Sequence, residues 1–123
     1  MNRGVRGATT VLKNESGEII ERAAELMIDI VSSNDIAPED VTSVYFTVTD
    51  DIDAVFPAKA LRRLDGWTYV PVMCMREIPV PGSLEKCIRV MVTVETERTQ
   101  QEIRHIYHYE AKQLRPDLKS TEE

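Results

Sequence analysis

Cysteine is scarce: Cys74 and Cys87 are the only two in 123 residues. They are too few and too far apart for a disulfide framework or a zinc site. Long apolar runs are missing too. Nothing approaches the ~20 residues of a membrane helix, so no membrane partner is expected. Met1-Asn2-Arg3-Gly4-Val5 carries no apolar signal-peptide core, and the default expectation is cytoplasmic. Positive charge is in short supply, with 15 Lys and Arg against 21 Asp and Glu and a net charge of −6. Nucleic acid and anionic membranes need a positive field, so neither is expected as a partner. Any anion bound here must be met by a local cluster of arginines.

The catalytic inventory is thin as well. Gly-x-Ser-x-Gly, a P-loop and Gly-x-Gly-x-x-Gly are all absent. His105 and His108 fall three apart on a predicted strand and point opposite ways, so they do not form a metal site. No metal and no cofactor is expected. An enzyme built from what remains works by positioning and electrostatics.

What is present suits one compact domain, 42% apolar and 29% charged. The expected domain is 1–114, with 115–123 a charged, weakly ordered tail. Residues 5–12 read as a first strand. Asn14 and Ser16 are the candidate caps of the next helix. Ile19, Ile20, Ala23, Ala24, Met27, Ile30 and Val31 recur at helical spacing on it. Pro38 opens one helical turn. Residues 41–49 alternate as a second strand. Pro57 opens a short helix, residues 67–78 form a third strand, 87–96 a fourth and 103–114 a fifth. The order β-α-β-α-β-β-β gives an α/β (α+β) domain: one mixed five-stranded sheet with two helices on one face. If the other face is apolar, neighbouring subunits should bury it.

The fourth strand carries the most informative residue. Ile88, Val90, Val92 and Val94 share one face, and Cys87, Arg89, Met91 and Thr93 the other. A guanidinium there is costly unless paired. An ion pair with Glu77 and a contact to an anionic ligand both explain it. Arg6 precedes Gly7, which permits close backbone approach; alone it reads as a surface arginine. Lys59, Arg62 and Arg63 cluster at i, i+3 and i+4. Strict alternation puts Cys74 and Glu77 on opposite faces, so a shared site needs a bulge or a frayed strand end.

Several segments together resemble the small, monofunctional chorismate mutases of the α/β class. They are Arg3-Gly4-Val5-Arg6-Gly7-Ala8-Thr9-Thr10, Ala54-Val55-Phe56-Pro57-Ala58-Lys59-Ala60 and Gly66-Trp67-x-Tyr69-Val70-Pro71-Val72-x-Cys74-Met75. Lys86-Cys87-Ile88-Arg89-Val90-Met91, Ile103-Arg104-His105 with Tyr107, and Leu114-Arg115-Pro116-Asp117-Leu118 complete the set. The resemblance implies a homotrimeric pseudo-barrel with active sites between subunits. It also implies rearrangement of chorismate to prephenate, on the route to phenylalanine and tyrosine, without metal or covalent intermediate. By that resemblance Arg89 meets the ether oxygen and also reaches a carboxylate, and Arg6 binds a substrate carboxylate. Glu77, with Cys74, holds the ring hydroxyl. Phe56, Tyr107 and Leu114 form walls, while Lys59, Arg62 and Arg115 belong to a positive entrance. Two other classes use similar parts: a trimeric imine or enamine hydrolase, and a non-catalytic binder of a dicarboxylate.

Overall fold

The computed structural model describes residues 1–114. Five strands, β1 (Asn2–Thr10), β2 (Val41–Val48), β3 (Val72–Arg76), β4 (Cys87–Glu95) and β5 (Ile106–Tyr107), form one sheet in the order β3-β2-β4-β1-β5. β4 runs antiparallel to β1 and β2, while β3 and β5 add parallel edges. The sheet is mixed, as expected.

Helix α1 (Ser16–Asn34) buries Ile19, Ala23, Ala24, Leu26, Met27 and Ile30. They pack with Val5, Phe46, Ile88, Val90 and Val92 in the main core. Gly7 lets the helix come this close, because a Cβ there would stand 2.6 Å from Ile30 Cδ1. The expected caps do not cap. Glu15 occupies the N-cap without a side-chain bond. The Glu18 carboxylate instead accepts the amides of Leu12 and Lys13 at 2.6 and 3.0 Å. Asn14 Oδ1 accepts the amides of Asp53 and Ala54, pinning the loop ahead of Phe56.

The second helix is a seven-residue 3-10 helix, Pro57–Arg63, and not an α-helix. Two strands are shorter than expected. Pro71 has no N–H to extend β3 backward, and residues 67–70 turn instead, with Val70 N donating to the Trp67 carbonyl. β5 stops at Tyr107, because Tyr109 takes φ +54 and the chain turns into a 3-10 helix at Tyr109–Gln113.

The sheet face away from α1 is open. Cross-strand register lines up Met73, Tyr45, Met91 and Arg6 in one row, then Met75, Thr47, Arg89 and Ala8 in the next. Tyr45, Met73, Met75 and Met91 are each more than a third exposed. Toward β5 a second small core of Ala8, Cys87, Tyr107 and Ala111, with Leu84 and Leu114 against it, covers part of this face.

Candidate active site

Period-two geometry decides the centre of the site. Ile88, Val90, Val92 and Val94 are buried, which leaves Arg89 on the open face opposite Thr47 of β2 and Ala8 of β1. Glu77 follows β3 and is anchored by its amide, 2.8 Å from the Val48 carbonyl. Alternation therefore brings Glu77 to the Arg89 side with no bulge. The pair is bidentate: Arg89 Nε donates to Glu77 Oε2 at 2.6 Å and Nη2 to Oε1 at 2.9 Å. The Thr47 hydroxyl also donates to Glu77 Oε2. The Arg89 guanidinium lowers the Glu77 carboxyl below its ordinary range; partial burial opposes this and the Thr47 hydroxyl adds to it.

The ion-pair reading of Arg89 is thus realised, and it does not exhaust the side chain. Nη1 has no hydrogen-bond partner among the described residues. Glu77 likewise has spare capacity, since it accepts three bonds and a carboxylate offers about four lone-pair sites. Arg89 and Glu77 line a cavity of about 360 Å³ with Arg6, Tyr45, Met91, Tyr107 and Leu114. That volume suits a small metabolite. The backbone of Arg6 is held by His105 Nδ1 at 2.9 Å. Its guanidinium makes no ion pair among the described residues.

The remaining expected residues lie elsewhere. Phe56, Lys59, Arg62 and Cys74 line a second cavity, of about 570 Å³, between the 3-10 helix Pro57–Arg63 and β3. Three residues per turn put Lys59 and Arg62 on one face of that helix. Arg63 turns away to Glu21, at 3.4 Å. Cys74 pairs in register with Phe46 and packs against the main core. Within one chain it does not share a site with Glu77. Burial pushes the Cys74 thiol up, and burial again, against the lowering by Arg89, pushes Cys87 up to about 11. Neither supplies a thiolate nucleophile near neutral pH. Arg76 points away from Glu77, toward Asp50 at 3.6 Å. Arg115 lies outside the described residues.

Residues 2–118 match the family described as chorismate mutase type I. The chain belongs to that family. It is 50% identical over 121 residues to the chorismate mutase AroH of Bacillus subtilis, covering 98% of this chain and 95% of that one. It is 42% identical over 123 residues to the chorismate mutase AroH of Thermus thermophilus, covering 99% and 100%. A solved chorismate mutase from Clostridium thermocellum superimposes with a TM-score of 0.87 at 47% identity, over 89% of this chain and 97% of that one. Sequence reasoning about this mutase missed Thr47, Tyr45 and Met91 as lining residues. Their common signal is register, because Thr47 sits beside Arg89, Met91 beside Arg6, and Tyr45 beside Met91 in the same row across the sheet.

Proposed function

We propose that this chain, an isomerase of the chorismate mutase family, rearranges chorismate to prephenate in a cleft that two copies complete. The observation that carries the reading is the buttressed Arg89. Its fork is fixed by Glu77, which is fixed in turn by Thr47, with one guanidinium nitrogen left over. Such a donor is set before reaction and needs no reorganisation as charge develops.

The chemistry asks for little else. One C–O bond breaks, one C–C bond forms, and the product has the composition of the substrate. No proton must leave or arrive. Negative charge grows on the ether oxygen, and Arg89 meets it there while reaching one carboxylate. Arg6 takes the other carboxylate. The open acceptor site of Glu77 takes the ring hydroxyl. Tyr107 and Leu114 wall the compact conformer, which converts binding into orientation.

The second cavity supplies the opposite wall from a neighbouring copy. Phe56, Cys74 and the cations Lys59 and Arg62 are already grouped there, apart from Arg89. The exposed row of Met73, Tyr45 and Met91 supports burial of the open face by further copies in a homotrimer. The imine-hydrolase alternative is less well supported, since Arg89 holds its one acid/base candidate, Glu77, ionised with its carboxyl below the ordinary range, which makes it a poor proton donor or acceptor. Purified protein mixed with chorismate should consume its absorbance and yield prephenate. Absence of turnover overturns the reading.

A further inference from the structure

The segment after β5 is fastened to α1 by contacts that the rearrangement does not use. His108 Nε2 lies 2.8 Å from Asp29 Oδ2. Arg22 Cζ stands 3.7 Å above the centre of the Tyr109 ring, and the Tyr109 hydroxyl donates to Glu25 Oε1 at 3.0 Å. Arg22, Glu25 and Asp29 follow one another at helical spacing on α1, so they form one stripe. Arg22 is itself anchored, donating to the Thr10 carbonyl at 2.5 Å and pairing with Glu18 at 3.5 Å.

The backbone at the centre of these contacts is unusual. Tyr109 takes φ +54, a left-handed conformation that costs a bulky residue energy and needs support from its surroundings. That turn redirects the chain. Before it, β5 runs beside β1; after it, Ala111 and Leu114 pack with Ala8, Cys87 and Tyr107 on the open face. Leu114 thereby reaches the Arg89 cavity.

We propose that Tyr109 is a positioning residue: its ring, held on Arg22, maintains the turn that places Leu114 as a wall of the substrate cavity. The cation–π contact and the hydroxyl bond together offset the backbone strain. Arg22, more than 80 residues upstream in sequence, thus acts on the site through Tyr109 without touching substrate.

The activity arm of the test rests on the mutase reading, and the exchange arm does not. Tyr109→Ala should raise the KM for chorismate about tenfold, the order expected from losing one partly desolvated cation–π contact, with kcat within about threefold. Tyr109→Phe keeps the ring on Arg22 and should restore KM to within about threefold of native. In parallel, the amides of Ala111 and Leu114, which donate to the His108 and Ala111 carbonyls, should exchange with deuterium at least about fivefold faster in Tyr109→Ala and not in Tyr109→Phe. Arg22→Gln, which removes the cation from a largely buried side chain on α1, should repeat the Ala result. Unchanged exchange, or unchanged KM in an active folded variant, overturns the proposal. So does a Phe variant as impaired as Ala. If the native chain fails to turn over chorismate, the mutase reading falls and exchange alone decides the clamp.

Discussion

Replacing Arg89 by lysine keeps the positive charge and removes the fork. In the native chain two guanidinium nitrogens are spent on Glu77, at 2.6 and 2.9 Å, and on the proposed reading the third meets the substrate. A lysine has one ammonium. Its three N–H donors radiate from a single nitrogen, so it cannot hold both Glu77 oxygens in a planar fork and still present a separate, fixed donor to the ether oxygen of chorismate. The expected result is a loss of about 10²–10³ in kcat, or ~2.7–4 kcal/mol, the usual cost of a missing transition-state donor. Arg89→Ala should lose at least as much. Stability should hardly move. The Arg89 side chain is 51% exposed, and an ion pair so accessible to water contributes about 1 kcal/mol or less. A domain stabilised by about 5–15 kcal/mol survives that loss. The assay is kcat and KM from the decay of chorismate absorbance, with thermal unfolding on the same samples. A lysine variant within tenfold of native kcat would refute the argument. So would an alanine variant whose whole loss lies in KM, because Arg89 would then be an anchor only.

Two further predictions follow from the same geometry. Glu77 has a lowered pKa, so its ionised pair with Arg89 is intact above the usual carboxylate range of about 4.3 and is lost only as pH falls through the lowered value. Native kcat/KM should stay level from neutral pH down to about 5, while Thr47→Val, which removes one of the lowering contacts, should move the acid limb to higher pH and Thr47→Ser should not; an unmoved limb in the valine variant counts against Thr47 as the buttress. Arg89→Ala and Arg62→Ala should each be impaired alone, yet recover roughly a quarter of native activity when dissociated and reassembled together, since about one in four random pairings joins two intact halves; no recovery would place both arginines in one chain's site.

The fourth strand was legible because one physical rule governs it. A half-buried strand alternates, and a charged residue in the exposed series must face the open side. The third and fifth strands were less so. Trp67, Tyr69 and Val70 have strand-like composition, but composition does not report that Pro71 withholds an N–H or that Trp67 turns into the core. The end of β5 was hidden for another reason. A left-handed tyrosine has no local sequence signature, since the conformation is held by Arg22 and Glu25 from α1. The apparent conflict between Cys74 and Glu77 was real within one chain. Alternation does separate them, and only the sheet's two faces show where each goes.

That separation is what the proposed assembly would resolve for catalysis. In one chain Arg89 stands half in water beside Glu77, and Arg6 offers its charge to solvent. Charges about 4 Å apart interact by only about 1 kcal/mol in water, against about 4 kcal/mol at the effective dielectric typical of pairs at a protein surface. An Arg89 pointing into an open cavity is therefore a weak catalyst, however well Glu77 and Thr47 aim it. On the proposed assembly, Phe56 and Cys74 of a second copy close over the cavity and expel that water. The leftover nitrogen, still aimed by the same two hydrogen bonds to Glu77, then acts on the breaking C–O bond at several times the strength. Oligomerisation is, on this argument, part of the electrostatic machinery, because it lowers the dielectric around a guanidinium that the single sheet has already oriented.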